Sequence, residues 1–201
     1  MLFAGAITKS GWVFRQESEK EEYLSLIEKY KQRYGFNLYA WVIMSNHAHL
    51  LIEVGEKPLW KIMQGIQQSY TTWYNRTNRH SGHVFEQRYK ALLCNKDIYL
   101  LSLIRYIHQN PERAKMDTGI YYPYSSHRDY KLLNQKGLTD ATFPLVLFSE
   151  NKRQAVIRYL DFMGEEEEEI KNLKPGEFEE GTREGEPEKS EDQVIQLAVT
   201  P

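Results

Sequence analysis

Two histidines spaced two residues apart, His47 and His49, are the side chains with the clearest chemical potential in this sequence. They lie in residues 41–53, a run rich in apolar and β-branched residues that is typical of a buried strand. Side chains alternate along a strand, so both imidazoles are expected on the same face. Neutral imidazole is the commonest metal ligand in proteins, and the pair could supply half of a metal site. Taken alone, however, a pair of this kind is more often structural.

A second polar cluster ends the helical segment 97–111, where Tyr106 and Asn110 are four residues apart and share one face. Two imidazoles and one amide oxygen can hold a divalent ion, and the phenol can attack a phosphorus centre that the ion polarises. Mixed nitrogen and oxygen ligation suits Mn²⁺ at least as well as Mg²⁺. A phenol with a pKa near 10 is a poor nucleophile at neutral pH, so it needs activation by the ion or by cations. The candidate cations are Arg88, Lys90 and Arg105.

Each of these helix residues also has a purely structural interpretation. Tyr106 fits the apolar stripe of its helix and could be an ordinary core tyrosine. Asn110 could simply end the helix before Pro111, because the residue before a proline is biased away from helical backbone. His108 lies two residues from Tyr106, points to another side of the helix and is expected to be structural.

The formal net charge of −2 averages two unlike regions. Residues 165–201 hold 4 Lys and Arg against 13 Asp and Glu, a net charge of −9, whereas residues 1–164 hold 22 against 15, a net charge of +7. Residues 61–115 alone carry a net charge of +6. A basic body suits a polyanionic partner, although a solvated surface is the plain alternative. The candidate nucleic-acid-binding residues are Lys61, Arg76, Arg79, Arg88, Lys90 and Arg105.

The elements that must position these residues follow from the hydrophobic pattern. In chain order, the pattern predicts a helix at 17–34, strands at 37–44 and 47–54, a helix at 59–77, a strand within 83–94 and a helix at 98–109. Gly35 is expected to end the first helix, Asp97 to cap the last one, and the Asn110–Pro111 step to terminate it. The only candidate for an opening strand is 2–7, which we expect to be short or partly missing.

With that opening strand, the order of elements predicts an α+β fold, the ferredoxin-like split βαβ sheet with helices on one face. Short helical pieces after Gly119, near 127–133 and over 143–164, predict a small C-terminal helical appendage. We therefore divide the chain into a core at 1–118, an extension with short helices at 119–164 and an acidic disordered tail at 165–201.

Three segments carry a resemblance to a known family. Residues 44–51, Met-Ser-Asn-His-Ala-His-Leu-Leu, resemble the MxNHxHLL signature of the HUH single-tyrosine transposases, the IS200-like transposases. Residues 85–90 and 106–114 resemble two further signatures of one branch, the REP-associated tyrosine transposases. The resemblance covers roughly residues 3–164 and makes 1–118 the transposase core. It implies a ferredoxin-like fold that acts on single-stranded DNA hairpins.

The resemblance also implies roles for individual residues. His47 and His49 would bind the metal, Tyr106 would form a 5′-phosphotyrosine link, and Asn110 would fall at the position of the third ligand. We therefore expect a DNA transposase: a site-specific endonuclease and strand transferase for single-stranded hairpin DNA that depends on Mg²⁺ or Mn²⁺. The alternative is a DNA- or RNA-structure-binding protein that derives from a decayed transposase and does not cleave.

The composition also predicts where the protein is located and how it associates. The single cysteine, Cys94, excludes an internal disulfide framework, and no apolar run is long enough to cross a bilayer. We therefore expect a soluble, cytoplasmic protein that acts as a monomer or homodimer, with no membrane partner.

Overall fold

The computed structural model describes residues 2–7, 13–85, 89–93, 97–133 and 137–164. The strands are β1 (Leu2–Ile7), β2 (Asn37–Ile43), β3 (His47–Glu53) and β4 (Lys90–Leu93). The helices are α1 (Glu17–Tyr34), α2 (Leu59–Thr77), α3 (Asp97–Arg113), α4 (His127–Leu132), α5 (Thr142–Val146) and α6 (Lys152–Gly164), with a 3-10 turn at Gly119–Tyr121. The predicted acidic tail lies outside the described residues.

Local sequence accounts for both ends of α1. At its start, the side chain of Glu19 accepts a hydrogen bond from the backbone N–H of Gln16 at 2.8 Å, which satisfies a donor that the helix itself leaves unpaired. At its end, Gly35 adopts the left-handed conformation with φ of 66°, and its N–H donates to the carbonyl oxygen of Lys31. Glycine suits this position because a left-handed residue with a Cβ is strained.

The four strands form one antiparallel sheet in the order β2-β3-β1-β4. Our expectation that the opening strand is short or partly missing is wrong. β1 lies inside the sheet and pairs with β3 along its whole length, from Leu2 opposite Ile52 to Ile7 opposite His47. On its other side it pairs with β4. The 6 residues of β1 suffice because this is an ordinary strand length in globular proteins.

Helices cover both faces of the sheet, whereas we expected them on one face only. Alternation along β3 directs Ala48, Leu50 and Ile52 into a core shared with α1 and α2. Leu51 points the other way, into a second core shared with α3 and the helices that follow it. The reason is visible in β2, where every residue except Asn37 is buried. A strand that is apolar on both sides needs a cover on each face of the sheet.

α3 is longer than its sequence predicts. We expected it to end at the Asn110–Pro111 step, but the helix continues through Pro111 to Arg113. Proline lacks an N–H and removes one helical hydrogen bond, a loss confined here to the last turn. The helical pattern is present after the proline, because the N–H of Ala114 donates to the carbonyl oxygen of Asn110 at 2.9 Å. The extension places Arg113 on the helix face that carries Tyr106 and Asn110.

The outer edge of β2 is covered by the C-terminal segment, residues 119–164. Three backbone hydrogen bonds cross this edge: Ile43 N–H to Tyr124 O (2.9 Å), Ser126 N–H to Trp41 O (3.0 Å) and Asp140 N–H to Leu38 O (2.8 Å). The carboxylate of Asp140 also accepts from the Leu38 N–H at 2.7 Å and pairs with Lys31 at 2.6 Å. An edge strand that is paired in this way no longer presents unsatisfied backbone groups.

Candidate functional site

β3 presents His47 and His49 to the face of the sheet that α3 covers. The centroids of the two rings lie 4.7 Å apart, with an angle of 70° between the ring planes. His49 is 2% exposed and His47 is half-buried. Nδ1 of His47 lies 2.7 Å from the side-chain oxygen of Asn46. An amide oxygen only accepts hydrogen bonds, so Nδ1 carries the proton and Nε2 keeps its lone pair for ligation.

α3 brings Tyr106 and Asn110 to the two histidines. The ring centroid of Tyr106 lies 5.7 Å from that of His49, in an edge-on arrangement. The side-chain nitrogen of Asn110 donates to the carbonyl oxygen of Tyr106 at 2.7 Å, which fixes the amide on its helix. The same side chain lies close enough to the imidazoles of His47 and His49 and to the phenol to shift the pKa of all three. The four side chains that the sequence singled out therefore lie together, and their chemical roles stay predictions.

The electrostatics keep both imidazoles neutral. Burial lowers the pKa of His47, and lowers that of His49 well below its usual value. The neighbouring His47 depresses the pKa of His49 further, while hydrogen bonding to Asn110 opposes the shift in both rings. Neutral rings offer lone pairs, so two imidazole nitrogens and one amide oxygen fit a divalent cation such as Mn²⁺ or Mg²⁺. Within the described part of the chain, no three His, Cys, Asp or Glu side chains cluster as a metal site.

The phenol of Tyr106 lies beside one exposed cation. Burial raises the pKa of Tyr106, whereas Arg113 and the hydrogen bond with Asn110 lower it. The guanidinium carbon of Arg113 lies 5.2 Å from the centre of the Tyr106 ring, and the side chain is otherwise exposed. Sequence reasoning missed Arg113 because it ended the helix at the Asn110–Pro111 step. The spacing of seven residues from Tyr106 is the signal that could have found it.

Three of the predicted nucleic-acid-binding residues lie away from this site. Lys61 and Arg76 are exposed on α2, and Arg79 is exposed just after its end. α2 packs against the opposite face of the sheet, together with α1. These side chains therefore cannot act on the same phosphate as Tyr106.

Of the other three predicted cations, only Arg105 has a side chain among the described residues. Arg105 is 7% exposed, and its guanidinium carbon lies 3.4 Å from the centre of the Phe162 ring. Arg105 is therefore packed against α6. Its predicted contact with DNA stays a prediction. Arg88 lies outside the described residues, as does the side chain of Lys90.

A second pair of buried histidines lies on the far side of α3. The hydroxyl of Tyr159 lies 2.8 Å from Nδ1 of His108 and 2.6 Å from Nδ1 of His127. All three side chains are buried, at 1% exposure or less. His108 is thus part of a hydrogen-bonded core, in agreement with the structural role expected for it.

His127 gives the protein an expected loss of stability in acid. Burial, and to a smaller extent the charge of Lys131, lowers its pKa from 6.5 to about 4. The unfolded chain therefore binds this proton at a higher pH than the folded chain, so stability falls as the pH drops through 6.5 towards 4. Between pH 7.5 and 5.0 we expect this group to remove about 2 kcal/mol from the free energy of unfolding, measured with urea. The groups that face it are His108, Tyr121, Lys131 and Tyr159.

His127→Asn provides the control for this prediction. Asparagine keeps a side-chain N–H near the position of Nδ1 but does not titrate in this range. The variant is expected to be less stable at pH 7.5 and to lose less stability on acidification. An identical pH dependence in both proteins would contradict the assignment.

The residues of the candidate site fall within the span of a known protein family. The family model described as IS200-like transposase matches residues 7–110, just over half of the chain, and this span includes both histidines, Tyr106 and Asn110. The chain belongs to the IS200-like transposase family. The resemblance predicted from the sequence is thereby confirmed, and with it the assignment as a DNA transposase.

The fold of this transposase is similar to that of a REP-associated tyrosine transposase solved bound to a REP hairpin. The two structures agree with a TM-score of 0.59 at 15% sequence identity, over 70% of this chain and 86% of the other. At this level of identity the likeness concerns the fold: a mixed arrangement of helices with an antiparallel sheet. No curated protein matches the sequence. None of the helices in the described residues is long and apolar enough to cross a membrane.

Proposed function

We propose that this transposase is a metal-dependent endonuclease and strand transferase for single-stranded hairpin DNA, with a 5′-phosphotyrosine intermediate on Tyr106. The observation that carries the proposal is the convergence of Tyr106 and Asn110 with His47 and His49. A phenol beside two neutral imidazoles and an amide oxygen is suited to attack on a phosphate. Membership of the IS200-like family supports DNA as the substrate, and the hairpin bound to the solved fold neighbour supports the hairpin form.

The metal would be held by His47, His49 and Asn110. When bound, a divalent ion would neutralise charge on the scissile phosphate and make its phosphorus more electrophilic. Asn46 supports this geometry, because it holds the Nδ1 proton of His47 and leaves Nε2 as the ligating atom. Asn110 is tied to its own helix by the bond to the Tyr106 carbonyl, so ligand and nucleophile are kept in fixed relation.

In the proposed reaction, the phenolic oxygen of Tyr106 forms a bond to phosphorus as its proton departs. The bond from phosphorus to the 3′ oxygen breaks, and that oxygen takes up a proton and leaves as a 3′ hydroxyl. Burial opposes loss of the phenolic proton, and Arg113 reduces this effect in part because its charge stabilises the phenolate. Attack of a 3′ hydroxyl on the phosphotyrosine reverses the exchange and joins strands. A phosphodiester bond is present at every step of the exchange, so the reaction needs no nucleotide cofactor as an energy source.

We also propose that Lys61, Arg76 and Arg79 bind phosphates of the DNA away from the point of cleavage. The support is their exposure on the side of the sheet opposite Tyr106 and the lack of any Asp or Glu in residues 57–85. Contacts of this kind hold a nucleic acid without reading its sequence.

The proposed fold is the ferredoxin-like sheet, formed by a core at 1–118 with an extension at 119–164 and an acidic tail at 165–201. The element order and the strand order β2-β3-β1-β4 support this proposal. The alternative of a decayed, non-cleaving protein depended on a missing opening strand. β1 removes that argument, because it pairs fully with the strand that carries the histidines.

The proposal is tested by incubating the protein with single-stranded hairpin DNA and Mn²⁺ or Mg²⁺. We expect a protein–DNA adduct that survives denaturant and gel electrophoresis, and whose formation stops when EDTA is added. Its mass should equal protein plus the DNA fragment on the 3′ side of the cut, as a 5′-phosphotyrosine link requires. Hairpin binding without any adduct under either metal would overturn the proposed reaction and favour the non-cleaving alternative.

A further inference from the structure

A continuous chain of buried hydrogen bonds runs behind α3, on the side away from Tyr106. It links the C-terminal segment to α3 and then to the backbone of β2. Its bonds are His127 Nδ1 to Tyr159 OH (2.6 Å), Tyr159 OH to His108 Nδ1 (2.8 Å), His108 Nε2 to Ser126 Oγ (2.7 Å) and Ser126 Oγ to Trp41 O (3.2 Å). The N–H of Trp41 also donates to Ser126 Oγ at 2.9 Å.

The donor and the acceptor of every hydrogen bond in this series follow from its end at the Trp41 carbonyl. The carbonyl of Trp41 can only accept a hydrogen bond, so the hydroxyl of Ser126 must donate its one proton to it. His108 must then donate to Ser126 through Nε2, and its bare Nδ1 accepts the hydroxyl proton of Tyr159. Tyr159 in turn accepts from Nδ1–H of His127.

The far end of the chain agrees with this assignment. Nε2 of His127 is buried and has no hydrogen-bond partner among the described residues, and the chain of hydrogen bonds leaves that atom as a bare acceptor. Reversing the three bonds between the side chains would instead bury an N–H donor there, and buried donors without partners are the rarer and costlier case. The five groups thus have a single consistent set of proton positions.

The chain of hydrogen bonds is attached to α3 at His108, between the two residues whose orientation matters for the proposed reaction. His108 lies midway between Tyr106 and Asn110, and two residues of helix rotate a side chain by about 200°, to the opposite side of the helix. Trp41 at the other end is next to Val42, which is paired with His49. The strand that neighbours the histidines is therefore linked to the helix that carries the phenol.

We propose that His108 and Tyr159 are positioning residues, which fix the rotation of α3 so that Tyr106 and Asn110 face the histidine pair. The C-terminal segment, which contributes Tyr159, Ser126 and His127, is then part of the machinery that sets the cleavage rate. The inference rests on the proposed function of Tyr106. A small rotation of the helix would displace the phenol, and displacements of about 1 Å can cost about 10²-fold in rate.

The test compares Tyr159→Phe with a matched control, Tyr130→Phe. Both hydroxyls are fully buried in the same core, and Tyr130 donates to the carbonyl of Tyr39 at 2.9 Å without touching α3 through its hydroxyl. We expect both variants to lose a few degrees in Tm, with the larger loss in Tyr159→Phe, because the Tyr159 hydroxyl makes two buried hydrogen bonds and the Tyr130 hydroxyl makes one. At saturating hairpin and Mn²⁺, Tyr159→Phe should form the adduct about tenfold more slowly or worse, with unchanged hairpin Kd, while Tyr130→Phe stays near wild type.

Ser126→Ala breaks the same chain at its β2 end and should repeat the pattern of Tyr159→Phe, which provides an answer if the first variant does not fold. Equal rates in all variants, or equal slowing in Tyr159→Phe and Tyr130→Phe, would overturn the positioning role while leaving the proposed function intact. A wild-type protein that forms no adduct would instead overturn the proposed function, and this inference with it.

Discussion

Replacing Tyr106 by phenylalanine is expected to abolish the covalent protein–DNA adduct while leaving hairpin binding nearly unchanged. The ring of phenylalanine keeps the edge-on contact with His49, so packing at the site is preserved. Only the phenolic oxygen is lost, which is the atom that we propose bonds to phosphorus. Loss of a nucleophile costs at least about 10⁴-fold in rate. Adduct formation on labelled hairpin DNA measures the effect, and fluorescence anisotropy of the same DNA measures binding.

Tyr99→Phe is the matched control for this substitution. Tyr99 lies seven residues earlier on the same helix and is 43% exposed, so it is a tyrosine that DNA could reach. The control variant should form the adduct at the wild-type rate. An adduct that persists in Tyr106→Phe and disappears in Tyr99→Phe would exclude Tyr106 as the nucleophile.

His47→Ala is expected to remove most of the metal-dependent cleavage. The substitution deletes one of the two proposed imidazole ligands and would leave a site with a single histidine and the amide of Asn110. A metal ion acting as a Lewis acid is worth several kcal/mol, so its loss should slow adduct formation by about 10²- to 10³-fold at fixed Mn²⁺. Titration of Mn²⁺ against the rate of adduct formation should show half-saturation at a higher concentration than in the wild type.

The matched control replaces a histidine that has no place in the site. His83 is exposed in the loop after α2 and can be changed to alanine without disturbing the sheet. His83→Ala should retain both the wild-type rate and the wild-type dependence on Mn²⁺. A His47→Ala protein with full activity and unaltered Mn²⁺ dependence would remove His47 from the metal site.

Sequence periodicity predicts much of this fold because several elements are decided locally. α2 has the predicted bounds, Leu59 to Thr77, and β2 and β3 end within one residue of their predictions. The grouping of the two histidines with Tyr106 also follows from the sequence, since strand alternation and helical spacing fix which side chains share a face. Gly35 ends α1 as predicted, because its left-handed backbone is a property of the residue itself.

The features that sequence reasoning missed depend on contacts between distant parts of the chain. Pro111 was expected to end α3, but whether a helix tolerates a proline in its last turn depends on what packs around it. A count of charged residues likewise does not show which way each side chain points. It could not distinguish the buried Arg105 from the exposed Arg76. The chain of hydrogen bonds through Tyr159 joins residues far apart in sequence, and no local pattern marks it.

The covered edge of β2 also limits how the molecule can associate with others. A second copy that tried to add a strand beside Trp41 and Ile43 would find those backbone groups already bonded to residues 124–126. It would first have to detach the C-terminal segment, which also carries the Tyr159 hydroxyl and the salt bridge between Asp140 and Lys31. Growth of the sheet from this side is therefore blocked by the protein's own chain, and domain exchange would require α3 to lose the hydrogen bond between His108 and Tyr159.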